Sequence, residues 1–173
     1  AAHVYDLVSD PKEFGISIEG VKLHFDKVMA RKNKTVGGLS KGVEFLMKKH
    51  KITVFKGQGK LEGKGRVTVT GADGKVTEVS TKNVIVATGS APRLLPGMQV
   101  QSPRIVTSDE LLDFDHVPKS MVVLGAGAVG VEFASVFSRF GTDVTVIELL
   151  PRLVPIEDEE TSAELAKAFR RRK

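Results

Sequence analysis

Apolar residues recur at helical spacing near the start of the chain. Between Val21 and His50 they return every three or four positions, with lysines between them, as in an amphipathic helix. Gly37 and Gly38 fall in the middle of this pattern, and we expect a kink or a break there because glycine weakens a helix. His50 would lie in the basic last turn as a solvated residue, not as a catalytic base.

Alternating apolar and polar residues replace the helical spacing after residue 51. Residues 66–70 (RVTVT) and 76–80 (VTEVS) alternate regularly, and an Asp73-Gly74 pair lies between them. An Asp-Gly pair between two alternating runs favours a tight hairpin turn. Residues 52–57 (ITVFKG) are rich in β-branched and aromatic side chains, so the three runs together predict a β-hairpin or part of a β-meander.

A continuous apolar run follows the meander. Residues 83–90 (NVIVATGS) predict a strand that is buried on both faces, as in a parallel sheet. Ligands bind at the carboxyl ends of such strands, and Thr88, Gly89 and Ser90 would offer hydroxyl groups and close backbone approach at that end. An ordinary loop is the alternative for these three residues.

A linker and a short helix separate this run from the second half of the chain. Residues 91–107 are rich in proline and glycine and predict the linker. SDELLDF, residues 108–114, predicts a helix with Ser108 as its N-cap and acidic residues in its first turn. Pro118 precedes a new apolar strand, so we place a domain boundary between residues 1–117 and residues 118–173.

The most specific motif is a strand–turn–helix–strand unit over residues 121–148. Its first strand is followed at once by Gly125, Gly127 and Gly130 in a G-x-G-x-x-G spacing. A helix is expected from Val131 to Phe140, with Gly141 as its C-cap, and a second strand, DVTVIE, follows and ends at Glu148. This order is that of a dinucleotide-binding βαβ unit.

Each glycine of the motif has a separate physical task. Gly125 permits the tight turn from strand to helix. Gly127 lets the backbone approach a pyrophosphate, and Gly130 lets the helix pack closely on the strand. The free N–H groups and the dipole of the helix N-terminus then favour the phosphates. The motif therefore predicts that a dinucleotide binds here.

Two carboxylates refine this prediction. Glu148 lies eighteen residues beyond Gly130, where it would accept hydrogen bonds from a ribose 2′-hydroxyl and repel a 2′-phosphate, which favours NAD over NADP. Arg152 is near in sequence, but it follows a proline and is expected on the surface. Glu132, one turn into the helix, has two interpretations that the residues leave open. It gains from the helix dipole, or it points toward the nicotinamide.

Composition excludes several other classes. The net charge is +5, but the basic residues are dispersed and there is one tyrosine and no tryptophan, so nucleic-acid binding is not expected. No apolar run approaches the ~18–20 residues that cross a membrane, and the first residues do not resemble a signal peptide. The absence of cysteine excludes disulfides and thiolate metal sites within the chain and suits a reducing compartment.

Three segments in this order carry a family resemblance: ATGS (87–90), VPKSMVVLGAGAVGVEFASVFSRFGTDVTVIE (117–148) and LPRLVPIEDEE (150–160). They resemble the flavin-dependent disulfide oxidoreductases, and residues 20–61 also have that pattern. Within the family, the chain is most similar to members that oxidise dihydrolipoamide. The ELLPRLVP segment is more typical of bacterial than of mitochondrial members.

The resemblance implies an α/β enzyme with two nucleotide sites. Residues 1–117 would be part of an FAD-binding Rossmann-like domain with an inserted β-meander, and residues 118–173 the start of an NAD-binding Rossmann domain. Glu132 matches the family glutamate near the nicotinamide and flavin. The implied FAD contacts are Gly59, Thr88, Gly89 and Ser90. The implied NAD contacts are Gly125, Ala126, Gly127, Ala128, Val129, Gly130, Val131, Glu132 and Glu148.

The resemblance also implies partners and a reaction. Dihydrolipoamide on the lipoyl domains of 2-oxoacid dehydrogenase complexes would reduce a cysteine pair, the pair would reduce FAD, and a hydride would pass to NAD⁺. The full-length protein would be a homodimer. It would lie in the cytoplasm of a bacterium, or in the mitochondrial matrix if the source is eukaryotic.

Several parts of the family pattern are missing from the sequence. The first G-x-G-x-x-G for FAD, the C-x4-C redox pair, the later Gly-Asp flavin motif, the C-terminal His-Glu pair and the dimer-forming domain are all absent. We therefore expect an internal fragment, inactive and poorly stable alone, whose redox cysteines precede residue 1. The alternatives are an NADPH-linked glutathione or mercuric reductase, which Glu148 disfavours, a non-enzymatic NAD-binding module, and a purely structural α/β fragment.

Overall fold

The computed structural model describes residues 1–98 and 104–172. In chain order, its elements are α1 (Ala2–Ser9), a 3₁₀ turn (Pro11–Phe14), α2 (Phe25–Lys49), β1 (Gln58–Gly63), β2 (Arg66–Thr70), β3 (Val76–Ser80), α3 (Ser108–Leu111), β4 (Ser120–Leu124), α4 (Ala128–Arg139), β5 (Asp143–Ile147) and α5 (Glu159–Arg172). The mixture of helices with a parallel and an antiparallel sheet is the α/β class expected from the sequence.

The chain divides into two compact units. Unit 1 comprises Ala1–Lys32 and Pro96–Lys173, and unit 2 comprises Asn33–Leu95. This division describes contacts within the chain, so the domain boundary expected at residue 118 stays a prediction. Part of the expected linker, residues 99–103, lies outside the described residues.

Helix α2 is continuous over 25 residues. It passes through Gly37 and Gly38 without the expected break. A glycine costs a helix only about 1 kcal/mol, and the charges at both ends favour the helix, with Asp26 in the first turn and Lys48 and Lys49 in the last. His50 follows the last residue of α2 and is exposed, as expected.

The β-meander of unit 2 has the strand order β1-β2-β3 and is antiparallel throughout. The expected hairpin is confirmed, with Thr70 paired to Val76 beside a turn in which the Lys75 N–H donates to Asp73 Oδ1 over 3.1 Å. The first strand, however, begins at Gln58, so the assignment of residues 52–57 to the sheet was wrong. At Gly57 the backbone lies so close to the end of β2 that a β-carbon would collide with the carbonyl group of Thr70. Regular pairing with β2 begins at the next residue, Gln58.

Residues 83–90 do not form the expected buried strand. The segment has no regular secondary structure and belongs to neither sheet, and Ile85 is 92% exposed. A central parallel strand needs neighbours on both edges and cover on both faces, and no described strand pairs with this one. No residue of unit 2 is buried.

The core of unit 1 is centred on α4, whose Val131, Ala134 and Phe137 are buried, and the strands β4 and β5 are at most partly buried. α1 packs on α4, and Phe137 of α4 lies within ring-contact distance of Phe25, Phe114, Phe133 and Phe140. None of the described helices is long and apolar enough to span a membrane.

Helix α3 begins one residue earlier than the sequence suggested. Its N-cap is Thr107 and not Ser108, because Thr107 forms a reciprocal capping box with Glu110. The Thr107 hydroxyl accepts from the Asp109 N–H over 3.2 Å, and the Glu110 carboxylate accepts from the Thr107 N–H over 2.7 Å. Two such bonds fix the helix start more firmly than a single cap would.

Candidate dinucleotide-binding site

The expected βαβ unit is present, with β4 and β5 parallel and adjacent. Gly125 makes the turn from β4 into α4 with a φ of +101°, a value that favours glycine. Its N–H donates to the Ile147 carbonyl oxygen over 2.8 Å, which extends the contact between the two strands. α4 begins at Ala128, three residues before the expected Val131, so the turn between strand and helix is shorter than the sequence suggested.

Gly130 is required by packing inside the protein. A β-carbon at this position would collide with the Gly125 carbonyl oxygen and would lie 3.3 Å from Cγ1 of Val123. Since backbone at a tight turn cannot yield easily, a side chain at Gly130 would push α4 away from β4. This is the close helix–strand approach that the motif predicted.

Gly127 is required by neither conformation nor packing. It is the N-cap of α4, with φ −68° and ψ 177°, angles that any residue adopts. A β-carbon here would meet no other described atom within 4 Å. Among the described residues, no side chain caps the first turn of α4, whose N–H groups have no acceptors within the helix. The geometry of Gly127 therefore fits the close approach of a phosphate group.

Ala126 is fully buried at the centre of the loop, and both of its backbone groups are engaged. Its N–H donates to Oε2 of Glu148 over 2.7 Å, and its carbonyl oxygen accepts from the Val154 N–H over 2.7 Å. Val131 is also buried, packed with Ala126 and Val154. Ala126 and Val131 thus stabilise the loop from within, whereas Ala128 and Val129 are exposed at the start of α4.

Glu148 follows β5 and is half-buried. Its Oε1 accepts from the Leu150 N–H over 2.9 Å, while Oε2 accepts from Ala126. These backbone donors, of Leu150 first and then of Ala126, hold the pKa of Glu148 below its ordinary value of 4.5. The carboxylate is therefore ionised at neutral pH, and its remaining lone pairs stay able to accept ribose hydroxyl groups.

The segment after β5 contributes to the site in a way that the sequence did not reveal. Val154 has a φ of +41°, which is strained for a β-branched residue, and its side chain is only 6% exposed. The neighbouring carbonyl of Leu153 accepts from the hydroxyl of Ser162, a residue that is 2% exposed, over 2.6 Å. No local sequence pattern predicts a left-handed conformation for a valine. The contact of this segment with the glycine-rich loop is therefore visible only in the folded structure.

Arg152 is expected on the surface but is only partly exposed. Its guanidinium bonds to Glu159 and to two backbone carbonyl oxygens of the same segment. Glu132 is exposed and lines an open groove of about 390 Å³ between α4 and α5. The dipole role and the nicotinamide role of Glu132 both stay predictions.

The residues expected to contact FAD lie in unit 2. Gly59 is in β1, paired with Val69 of β2, and a β-carbon there would meet no other described atom within 4 Å. Thr88, Gly89 and Ser90 lie in the exposed, irregular segment outside both sheets, where Gly89 has a φ of +78°. The FAD contacts of these four residues stay predictions.

Comparisons with known proteins cover nearly the whole chain. A family model described as pyridine nucleotide-disulphide oxidoreductase matches residues 3–173. The dihydrolipoyl dehydrogenase of Chlorobaculum parvum is 41% identical over 169 residues, which are 98% of this chain and 36% of that protein. The dihydrolipoyl dehydrogenase of Bacillus subtilis is 39% identical over 180 residues, with 99% of this chain and 38% of the relative covered.

Solved structures agree with these matches. The crystal structure of LpdA from Mycobacterium tuberculosis matches with a TM-score of 0.86 at 27% identity, and the match covers 99% of this chain and 38% of that one. The flavoprotein disulfide reductase RclA from Escherichia coli, solved as a Cu(II) complex, matches with a TM-score of 0.74 at 27% identity over 96% of this chain and 36% of that one. The chain thus spans well under half the length of these proteins.

Proposed function

We propose a function from one premise: the chain belongs to the pyridine nucleotide-disulphide oxidoreductase family. We infer that the whole protein is a dihydrolipoyl dehydrogenase that oxidises dihydrolipoamide with NAD⁺ through a redox disulfide and FAD. Curated relatives at about 40% identity bear that name, and they support the assignment. In this proposal, residues 118–173 begin the NAD-binding domain and residues 1–117 belong to the FAD-binding domain.

The geometry of Gly127 is the observation that carries the NAD site. Of the three motif glycines, Gly125 is explained by its positive φ and Gly130 by its contact with the turn, but nothing in the described part of the protein explains Gly127. A ligand that comes close to the backbone supplies the missing reason. A pyrophosphate at the N-terminus of α4 satisfies this condition and also the uncapped N–H groups of the first turn.

Glu148 would then recognise the adenosine ribose. Its charge is fixed by backbone donors, so it accepts hydrogen bonds from ribose hydroxyl groups and repels a 2′-phosphate. Bound NAD⁺ would supply the hydride acceptor. The chain's own contribution is to hold the loop through Ala126, to orient the phosphates at Gly127 and Ala128, and to select the ribose through Glu148.

The partners and the compartment belong to the same proposal. Dihydrolipoamide on lipoyl domains of 2-oxoacid dehydrogenase complexes is the substrate, and the active protein is a homodimer. The bacterial names among the relatives support a bacterial cytoplasmic enzyme.

The test uses the full-length protein that contains this chain, assayed for NADH formation from dihydrolipoamide. We expect activity with NAD⁺ and a loss of preference in Glu148→Gln. The ratio of kcat/KM for NAD⁺ to that for NADP⁺ should fall by about tenfold or more, the weight of one hydrogen bond to a charged group. Glu160→Gln, an exposed charge change in α5, is the matched control and should leave the ratio unchanged.

Two results would contradict the proposal. A wild-type protein that reduces glutathione or Hg²⁺ with NADPH, and does not oxidise dihydrolipoamide, would assign it to another branch of the family. An unchanged cofactor ratio in Glu148→Gln would refute the role of Glu148 even if the activity is as proposed.

A further inference from the structure

Arg152 lies close to the proposed ribose site in sequence, but its charge is directed elsewhere. Its Nη1 donates to Oε1 of Glu159 over 2.6 Å. Its Nη2 donates to the carbonyl oxygens of Pro155 and Glu157, both over 3.2 Å. These three hydrogen bonds hold the guanidinium against the segment that leads into α5.

The backbone beside Arg152 is anchored to the glycine-rich loop. Leu153 and Val154 follow it directly; Leu153 is bonded through its carbonyl oxygen to Ser162, and Val154 donates to Ala126. Ala126 in turn donates to Glu148. The backbone next to Arg152 is thus linked through Ala126 to Glu148, the carboxylate that would bind the ribose.

The ion pair contributes little to stability, so its position calls for another explanation. The side chain of Glu159 is 87% exposed and that of Arg152 is 34% exposed, and pairs in such exposed positions are weak. An arginine at this place has an obvious alternative partner, because a planar guanidinium binds phosphate through two parallel hydrogen bonds.

We propose that Glu159 determines dinucleotide specificity by holding Arg152 away from the ribose. With the guanidinium engaged, a 2′-phosphate meets the charge of Glu148 and receives no help from Arg152. Discrimination against NADP therefore has two parts, repulsion by Glu148 and withdrawal of a cation by Glu159. This inference rests on the proposed NAD site, and it makes Glu159 a positioning residue that acts only through Arg152.

The test measures dissociation constants of NADH and NADPH for the full-length protein, by calorimetry and by competition, and needs no turnover. The variants are Glu159→Ala, the neighbouring control Glu160→Ala, and Glu159→Ala combined with Arg152→Met. We expect Glu159→Ala to tighten NADPH binding about fivefold, the weight of one partly exposed charge pair. NADH binding should change less than twofold, and the gain should vanish in the double variant.

Three results would overturn the inference. The first is an unchanged NADPH constant in Glu159→Ala. The second is an equal gain in Glu160→Ala, because a general loss of negative charge would then explain it, and the third is a gain that survives Arg152→Met. If wild-type protein does not bind NADH, the proposed function itself is refuted. If wild-type protein binds NADH, the three results above test the role of Glu159 alone. Glu159→Gln, which keeps the size of the side chain, replaces Glu159→Ala if that variant does not fold.

Discussion

Replacing Gly127 with alanine should separate ligand binding from folding. The backbone angles of Gly127 suit alanine, and the new methyl group would meet no described atom within 4 Å. It would project toward the space that the proposed pyrophosphate occupies. We therefore expect Gly127→Ala to preserve the fold and to impair dinucleotide binding.

The expected effect on stability is close to zero because two terms oppose each other. Alanine is a poorer N-cap than glycine, by about 0.5 kcal/mol. Removing glycine also lowers the entropy of the unfolded chain, which stabilises the protein by about 0.4–1 kcal/mol. The net change should lie within about 0.5 kcal/mol. Binding differs, since displacing the phosphates from the N–H groups of α4 should weaken NADH at least about tenfold, or 1.4 kcal/mol.

The assay pairs a thermal unfolding curve with an NADH titration, both on the full-length protein. Gly130→Ala is the contrasting variant, because its β-carbon collides with the backbone of Gly125. It should destabilise the protein by about 1–3 kcal/mol, as overpacking does. An unchanged NADH constant in Gly127→Ala, with the fold intact, would refute the placement of the pyrophosphate at this residue.

Two further predictions concern the core and the pH dependence of the loop. Phe137→Ala should lower the free energy of unfolding by about 3–5 kcal/mol, because Phe137 is 4% exposed and packs with four other rings. A urea titration measures this loss, and Phe133→Ala, which removes a partly exposed ring, should cost less. The bonds of Glu148 to backbone N–H groups lower its pKa below 4.5, so their stabilising effect is fully present above pH 4.5 and is lost as the pH falls below the folded-state value. The difference in unfolding free energy between wild type and Glu148→Gln should therefore be constant from pH 5 to 8, because a glutamate with an ordinary or lowered pKa stays ionised in this range. The difference should shrink in acid. A difference that grows in acid would contradict this assignment.

The parts of the fold that the sequence predicted are those whose signals are local. The hairpin of β2 and β3 and the βαβ unit each combine a periodic pattern with a turn that needs particular residues. The failures have a different cause. Residues 83–90 carry the pattern of a buried strand, but burial requires neighbours, and no described strand pairs with them.

The sequence also predicted part of the geometry of the candidate site. Gly125 and Gly130 have the geometry that the motif implies, since one has a positive φ and the other packs against the turn. The sequence did not reveal that Ala126 is bonded on both sides, or that Val154 adopts a strained conformation to reach it. Both features depend on contacts between residues more than twenty positions apart, which no short pattern records.

These contacts change the meaning of the glycine motif. The loop is held by Glu148 on one side of Ala126 and by Val154 on the other, so contacts within the protein stabilise its shape. A loop ordered in advance loses less conformational freedom on binding, which favours affinity. The carboxylate proposed to read the ribose is also one of the two groups that shape the phosphate loop. In the proposed site, recognition of the ribose and of the pyrophosphate would then be coupled through Ala126, and a substitution at Glu148 should weaken both.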